Sequence, residues 1–148
     1  MKVDIKLGQK GFIPVRGTSC SAGYDLFLPS DTMVRPGRQV IPLDFSIALP
    51  DGYEAEVRPR SGISIKGVED SSGMMRDIDV IIGTIDSDYR GTVGVIVKNN
   101  DNDFYFLKGG TRIAQMVIHK VESVEWEILK ELGETERGEN GYGSTGLY

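Results

Sequence analysis

The sequence predicts an all-β fold, and three observations carry that expectation. Apolar residues recur at every second position in several separate runs, the alternation of a half-buried strand. Turn clusters such as LPSD, RPGR, LPDG and KGG fall between these runs, as expected for short antiparallel strands. No long stretch shows the 3.6-residue apolar period of an amphipathic helix. Many short strands joined by Gly/Pro turns imply a sandwich or a barrel-like domain.

The elements follow in chain order. Val3, Ile5 and Leu7 alternate with Lys2, Asp4 and Lys6 and predict a first strand. Ile41, Leu43, Phe45, Ile47 and Leu49 alternate with Pro42, Asp44, Ser46 and Ala48 over a longer run. Tyr53–Val57 follows as a further strand, and the stretch Ser61–Lys66 is the best place for a short helix. Residues 68–76, VEDSSGMMR, read as an exposed loop because they are small, polar and without period. Val93–Val97, Asp103–Leu107 and Arg112–Val121 are strand candidates. Val124, Trp126 and Ile128, alternating with Glu125 and Glu127, predict one more, although Val124, Ile128 and Leu132 also suit a helix.

With 148 residues, 39% hydrophobic and 26% charged, the chain fits one soluble domain with a real core. The net charge of −5 argues against a general nucleic-acid binder, which shows a basic footprint. A small anion would then require locally concentrated positive charge or a recruited metal. The single cysteine, Cys20, forms no internal disulfide, and no Cys/His cluster has zinc-ligand spacing. The opening MKVDIKLG alternates charge and apolarity, unlike a signal peptide or anchor, and no apolar run has the length of a membrane span. A reducing compartment is expected: the cytoplasm, or a host cytoplasm or nucleus for a viral source.

Several familiar patterns fail their own tests. Gly141, Gly143 and Gly146 form a literal G-x-G-x-x-G, but only two residues follow, so no helix can open there to hold a pyrophosphate. No P-loop pattern occurs. DSDYRG begins like a calcium loop, yet Arg90 and Val97 stand where oxygen ligands are needed. His119, the only histidine, lies within an alternating strand and suits a surface or edge role. Zinc-dependent deamination needs a Cys/His ligand set that the chain lacks.

Five stretches combine glycine with charged or hydrogen-bonding residues: AGYDLF (Ala22–Phe27), PRSG (Pro59–Gly62), GTIDSDYRG (Gly83–Gly91), GTRIAQ (Gly110–Gln115) and RGENGYGSTG (Arg137–Gly146). Any one alone reads equally well as a β-turn with a solvated charge. In this order, from Ala22 to Gly146, they resemble the trimeric deoxyuridine triphosphatase (dUTPase) family.

That resemblance implies a jelly-roll-like homotrimer with shared active sites. It implies Mg²⁺-dependent hydrolysis of dUTP to dUMP and pyrophosphate, which limits uracil incorporation into DNA and supplies dUMP for dTTP synthesis. By the resemblance Asp86 activates water at the α-phosphorus, a task a carboxylate suits as proton acceptor; its bland alternative is a strand-end Asp on turn amides. Arg60, Ser61 and Gly62 would hold phosphates, since an arginine forks onto phosphate oxygens and glycine admits close backbone approach. Asp25 would reach magnesium through water, as this ion keeps much of its hydration. Gln115 would be a further polar contact. Arg112 in the same stretch reads equally as a structural or interface ion pair and stands outside the expected site.

For the base, Gly83 and Gly94 match positions where main chain approaches uracil, with Thr84 and Ile85 alongside. Tyr89 would pack beneath the deoxyribose, its alternative being an ordinary sheet-core tyrosine. Residues 1–132 would form the core and 133–148 an arm that closes as a lid, Arg137 on the γ-phosphate, Tyr142 on uracil, and Gly143, Ser144 and Thr145 as phosphate donors. The segment before Gly83 is longer than the family's usual, Ile81 and Ile82 replace smaller residues, and Asn140 and Tyr142 stand where Gly and Phe are usual. Two rivals accompany this reading: a related dCTP deaminase sharing the fold, and a nucleotide-controlled regulator using residues 68–76 to contact a protein partner.

Overall fold

The computed structural model describes residues 1–141. Among them are fourteen short strands and one helix, α1 (Ser61–Lys66), so the all-β expectation and the position of its short helix both hold. A five-stranded antiparallel sheet has the order β11 (Gly83–Ile85), β7 (Tyr53–Arg58), β14 (Arg112–Lys120), β3 (Tyr24–Phe27), β2 (Val15–Arg16). A three-stranded sheet joins β10 (Ile78–Ile81), β12 (Gly94–Asn99) and β5 (Gly37–Pro42). Three two-stranded ladders complete the fold: β1 (Asp4–Leu7) with β6 (Phe45–Ala48), β4 (Thr32–Val34) with β13 (Tyr105–Leu107), and β8 (Val68–Glu69) with β9 (Met75–Arg76).

Period-two patterning accounts for a single shared core. Ile41, Leu43, Phe45, Ile47 and Leu49 are all buried, as are Ala55 and Val57, Val93, Val95 and Val97, and Tyr105 and Leu107. The long run from Ile41 to Leu49 is nonetheless two strands of different sheets. Asp44 bends the chain with φ of 57°, a left-handed conformation that Asp tolerates better than most side chains. Its carbonyl accepts from Gly8 N and its carboxylate from Lys10 N. The bend therefore keeps the inward phase while moving the chain from β5 to β6.

Two sequence expectations are corrected. The strand through Val124, Trp126 and Ile128 is not formed: β14 ends at Lys120, and these residues are 64%, 88% and 98% exposed. A strand needs a ladder partner as well as alternation, and among the described residues this segment has none. Residues 68–76 are not a bare loop but the β8–β9 hairpin, anchored from within. Asp70 is buried, and its carboxylate accepts from Ser72 N and Oγ, Met74 N and Arg76 Nε, the last at 2.7 Å. The Ser72 hydroxyl and then Arg76 hold the Asp70 carboxyl well below the usual carboxylate range, and Asp70 in turn raises Arg76. The Arg76 guanidinium lies over the Tyr105 ring, and Ser71 N donates to Phe106 O, tying the hairpin to β13. Burial pushes the Tyr105 hydroxyl up, with Asp101 adding to the effect.

Candidate active site

The phosphate half of the expected site is assembled on one rung of the five-stranded sheet. Asp25 on β3 pairs with Gln115 on β14, which pairs with Arg58 on β7. Beyond Arg58 the chain turns through Pro59 into α1. That helix has no side-chain cap; Arg60 is its N-cap residue, and Ser64 N donates to Arg60 O. The turn returns the Arg60 side chain over the sheet, where Nε donates to Asp25 Oδ1 at 2.9 Å and Nη1 to Arg112 O at 3.3 Å. Arg112 Nη1 donates to Asp25 Oδ2 at 3.3 Å, and Gln115 Nε2 to Pro59 O at 2.8 Å. Asp25, Arg60, Ser61, Gly62, Arg112 and Gln115 line one cleft of about 240 Å³, together with Gly23.

Arg112 belongs to this cleft, contrary to its exclusion on sequence grounds. Residues 112 and 115 are an odd number apart and would face opposite sides of a regular strand. A bulge between Arg112 and Ala114 removes that difference, because Arg112 pairs with Phe27 and Ala114 with Leu26. The extra residue re-phases the strand, so Arg112 and Gln115 stand opposite Phe27 and Asp25, two positions apart on one face of β3. The neighbouring apolar pair Ile113 and Ala114, both buried, is the only sequence trace of that bulge. A Cβ at Gly23 would run into the Gln115 side-chain oxygen and push that side chain from its place in the cleft.

The base half lies elsewhere. Gly83, Thr84 and Ile85 form β11, an outer strand of the sheet, opposite Val57, Glu56 and Ala55. Asp86 follows at the exposed end of this strand, and Tyr89 N donates to its carbonyl. Tyr89 is 45% exposed, not a core tyrosine; its hydroxyl donates to Thr92 O at 3.2 Å and it packs over Gly91. Arg90 holds the loop by donating to Ser87 O and Tyr89 O. Gly94 on β12 is filled from within the chain, where an added Cβ would meet Val40 Cγ1 at 2.7 Å. Gly62 has nothing within 4 Å of that position, and Gly83 only Ile96 Cδ1 at 3.6 Å. The chain's own packing does not demand glycine at either.

The two halves do not meet within one chain. From β11 to β3 there are three strand spacings, about 14 Å at ~4.8 Å each. Ile85 pairs with Ala55 while the Asp25 rung meets Arg58, a further ~10 Å along the strands. Arg137, outside both, is exposed and donates from Nε to Asn140 O. Tyr142, Gly143, Ser144 and Thr145 lie outside the described residues.

The chemistry of the donor set bears on magnesium. Among the described residues no three His, Cys, Asp or Glu side chains converge as a metal cage. One part-buried carboxylate, Asp25, faces a cleft with two arginines. Such a set fits a hydrated Mg²⁺ carried mainly by substrate phosphates and touching the protein through water.

The dUTPase family model matches residues 9–146. The chain belongs to the dUTPase family. It is 44% identical over 143 residues to the deoxyuridine 5'-triphosphate nucleotidohydrolase of Arabidopsis thaliana, an alignment covering 96% of this chain and 81% of that protein. The protein of the same name from Rickettsia conorii is 41% identical over 141 residues, covering 93% and 90%. Among solved structures, the dUTPase of Staphylococcus bacteriophage 80alpha with dUPNHPP aligns with a TM-score of 0.85 at 27% identity, covering 99% of each chain. The fold shared with that dUTPase thus extends over 99% of this chain.

Proposed function

We propose that this protein hydrolyses dUTP to dUMP and pyrophosphate, with Mg²⁺, in a homotrimer whose active sites are shared between subunits. The observation that carries this reading is the cleft in which a chain of net charge −5 sets Arg60 and Arg112 around Asp25. Two guanidiniums there suit phosphate oxygens, which they grip in a planar fork. Bound Mg²⁺ would neutralise phosphate charge, with Asp25 holding its water shell. Arg60 and Ser61 orient the phosphates, Gly62 leaves room for their approach, and Gln115 fixes the Pro59 turn. Asp86 accepts the proton of the attacking water and holds that water in line with the α-phosphorus. Gly83 to Ile85 present main chain to uracil, and Tyr89 offers its exposed face to the deoxyribose.

The separation of the two halves favours a shared site. A water held by Asp86 must come within reach of a phosphorus bound at Arg60, and one chain holds these residues well over 10 Å apart by sheet geometry. A second subunit's β11 loop beside the first subunit's cleft removes the difficulty. The arm of a subunit, carrying Arg137 and Tyr142, would close over the nucleotide and exclude water. Exposed Val124, Trp126 and Ile128 suit the same arrangement, as alternation without a partner in its own chain suits packing on a neighbour. The enzyme would work in the cytoplasm, or in the host cell if its source is viral, lowering dUTP available to DNA synthesis and supplying dUMP.

A nucleotide panel with Mg²⁺, scored for pyrophosphate release, tests the activity; turnover of dUTP alone is expected, and ammonia released from dCTP would favour a deaminase instead. Mixing inactive Asp86→Asn subunits with inactive Arg60→Ala subunits tests the sharing. Mixed trimers should regain part of the activity, whereas two halves acting within one chain would recover none.

A further inference from the structure

Beside the phosphate cleft lies a larger one, about 530 Å³, between α1, the β8–β9 hairpin and the turn entering β14. Arg60, Gly62 and Arg112 line both clefts, so the two adjoin. The charges of the second cleft are unevenly spent. Asp70 is saturated by Arg76, Ser72 and Met74, while Arg60 and Arg112 are held by Asp25. Lys66 and Lys108 are exposed and, among the described residues, have no carboxylate within salt-bridge distance. Glu69 on the hairpin wall is the one uncommitted acid. An excess of unpaired ammonium groups in a chain of net charge −5 marks a local field for an anion.

We propose that this second cleft is a pyrophosphate site, in which Lys66 and Lys108 receive the inorganic pyrophosphate leaving the phosphate cleft. The assignment of its ligand rests on the dUTP-hydrolysing reading above; the cation pair itself does not. Pyrophosphate is a compact polyanion that two mobile ammonium groups can grip without a preset geometry. Arg60 and Arg112, reaching into both clefts, would pass it from one to the other. The insertion hairpin would then serve as a wall of the exit path, with Glu69 weakening retention so that product leaves.

The test is calorimetric titration of the intact protein with inorganic pyrophosphate, compared with the Lys66→Ala/Lys108→Ala variant and with Lys66→Arg/Lys108→Arg. Loss of two exposed charge contacts should weaken pyrophosphate about tenfold. The arginine pair should retain it, and Glu69→Gln should tighten it. The dUTP KM of the alanine variant should change less than about twofold. Unchanged pyrophosphate affinity in that variant, or no binding by the intact protein, overturns the site. A dUTP KM that rises by the same factor overturns it too, since the lysines would then only add to the field of the substrate cleft. Lysine-dependent pyrophosphate binding by a protein that fails to hydrolyse dUTP would sink the proposed activity and leave the anion site standing.

Discussion

Arg60 Nε lies 2.9 Å from Asp25 Oδ1, joining the turn after β7 to the centre of β3 across 35 positions of sequence. Arg112 holds the other carboxylate oxygen, so Asp25 sits between two cations. Asp25→Asn keeps the shape and removes the charge. Half-maximal activation should then need on the order of 10–100-fold more Mg²⁺, the usual cost of removing a partner in an ion's outer shell. A Mg²⁺ titration of turnover measures it; an unchanged midpoint would remove Asp25 from that role. Thermal stability should fall by only about 1 kcal/mol, because the ion pairs are partly open to water.

Asp86 is exposed in the single chain and takes part in no ion pair among those found in the described residues. Its replacement should leave the fold untouched. Asp86→Asn is expected to lower kcat by roughly 10²–10⁴-fold, the range for loss of a positioned base, with dUTP affinity nearly intact. Single-turnover kinetics beside a binding titration separate the two quantities, and full turnover in the variant would exclude the assignment.

Gly83 offers a sharper separation of stability from function. A methyl group there meets only Ile96 Cδ1 at ordinary contact distance. Gly83→Ala should raise the melting temperature slightly, since alanine loses about 0.5–1 kcal/mol less conformational freedom than glycine in a strand. The dUTP KM should rise nonetheless, because the methyl would stand where the base approaches. A variant with both quantities unchanged would move the uracil contact away from β11.

The buried Asp70 predicts a pH dependence. Hydrogen bonds from Ser72 and Arg76 depress its folded-state pKa, so the folded chain binds this proton more weakly than the unfolded chain. The stabilisation is then complete above the ordinary carboxylate value of about 3.9 and is lost as pH falls from there toward the depressed value. Asp70→Asn should melt lower than the parent at pH 7, and the gap should narrow below about pH 4. Parallel melting curves across this window check it, and a gap independent of pH would assign the effect to packing alone.

Residues 137–141 are exposed or only part-buried and make no strand. Deleting residues 137–148 should therefore leave the folding free energy within about 0.5 kcal/mol of the parent, as for surface changes generally. Turnover of dUTP should fall sharply. An active truncated protein would refute the lid.

Period two was legible in the runs Ile41–Leu49, Tyr53–Val57 and Val93–Val97 because one face of each is buried and alternation records that directly. The strands β3, β10 and β11 were harder to read: β3 and β11 carry glycine and site residues within or beside the pattern. The hairpin at residues 68–76 was hidden because its stability comes from a buried Asp–Arg pair, which sequence alone cannot distinguish from two solvated charges. The segment around Trp126 erred in the opposite direction, its pattern being real but its ladder partner absent among the described residues.

The identities of Asp25, Arg60, Asp86 and Gln115, and their chemical types, were available from four short stretches of sequence, since donors, acceptors and glycines are written residue by residue. Where those groups stand relative to one another was not. A single bulge turns Arg112 onto the face of Gln115, and sheet order places β7 and β14 between the strand that leads to Asp86 and the Asp25 strand. Both depend on long-range backbone pairing, whose register is set by the packing of the whole core rather than by local residue type.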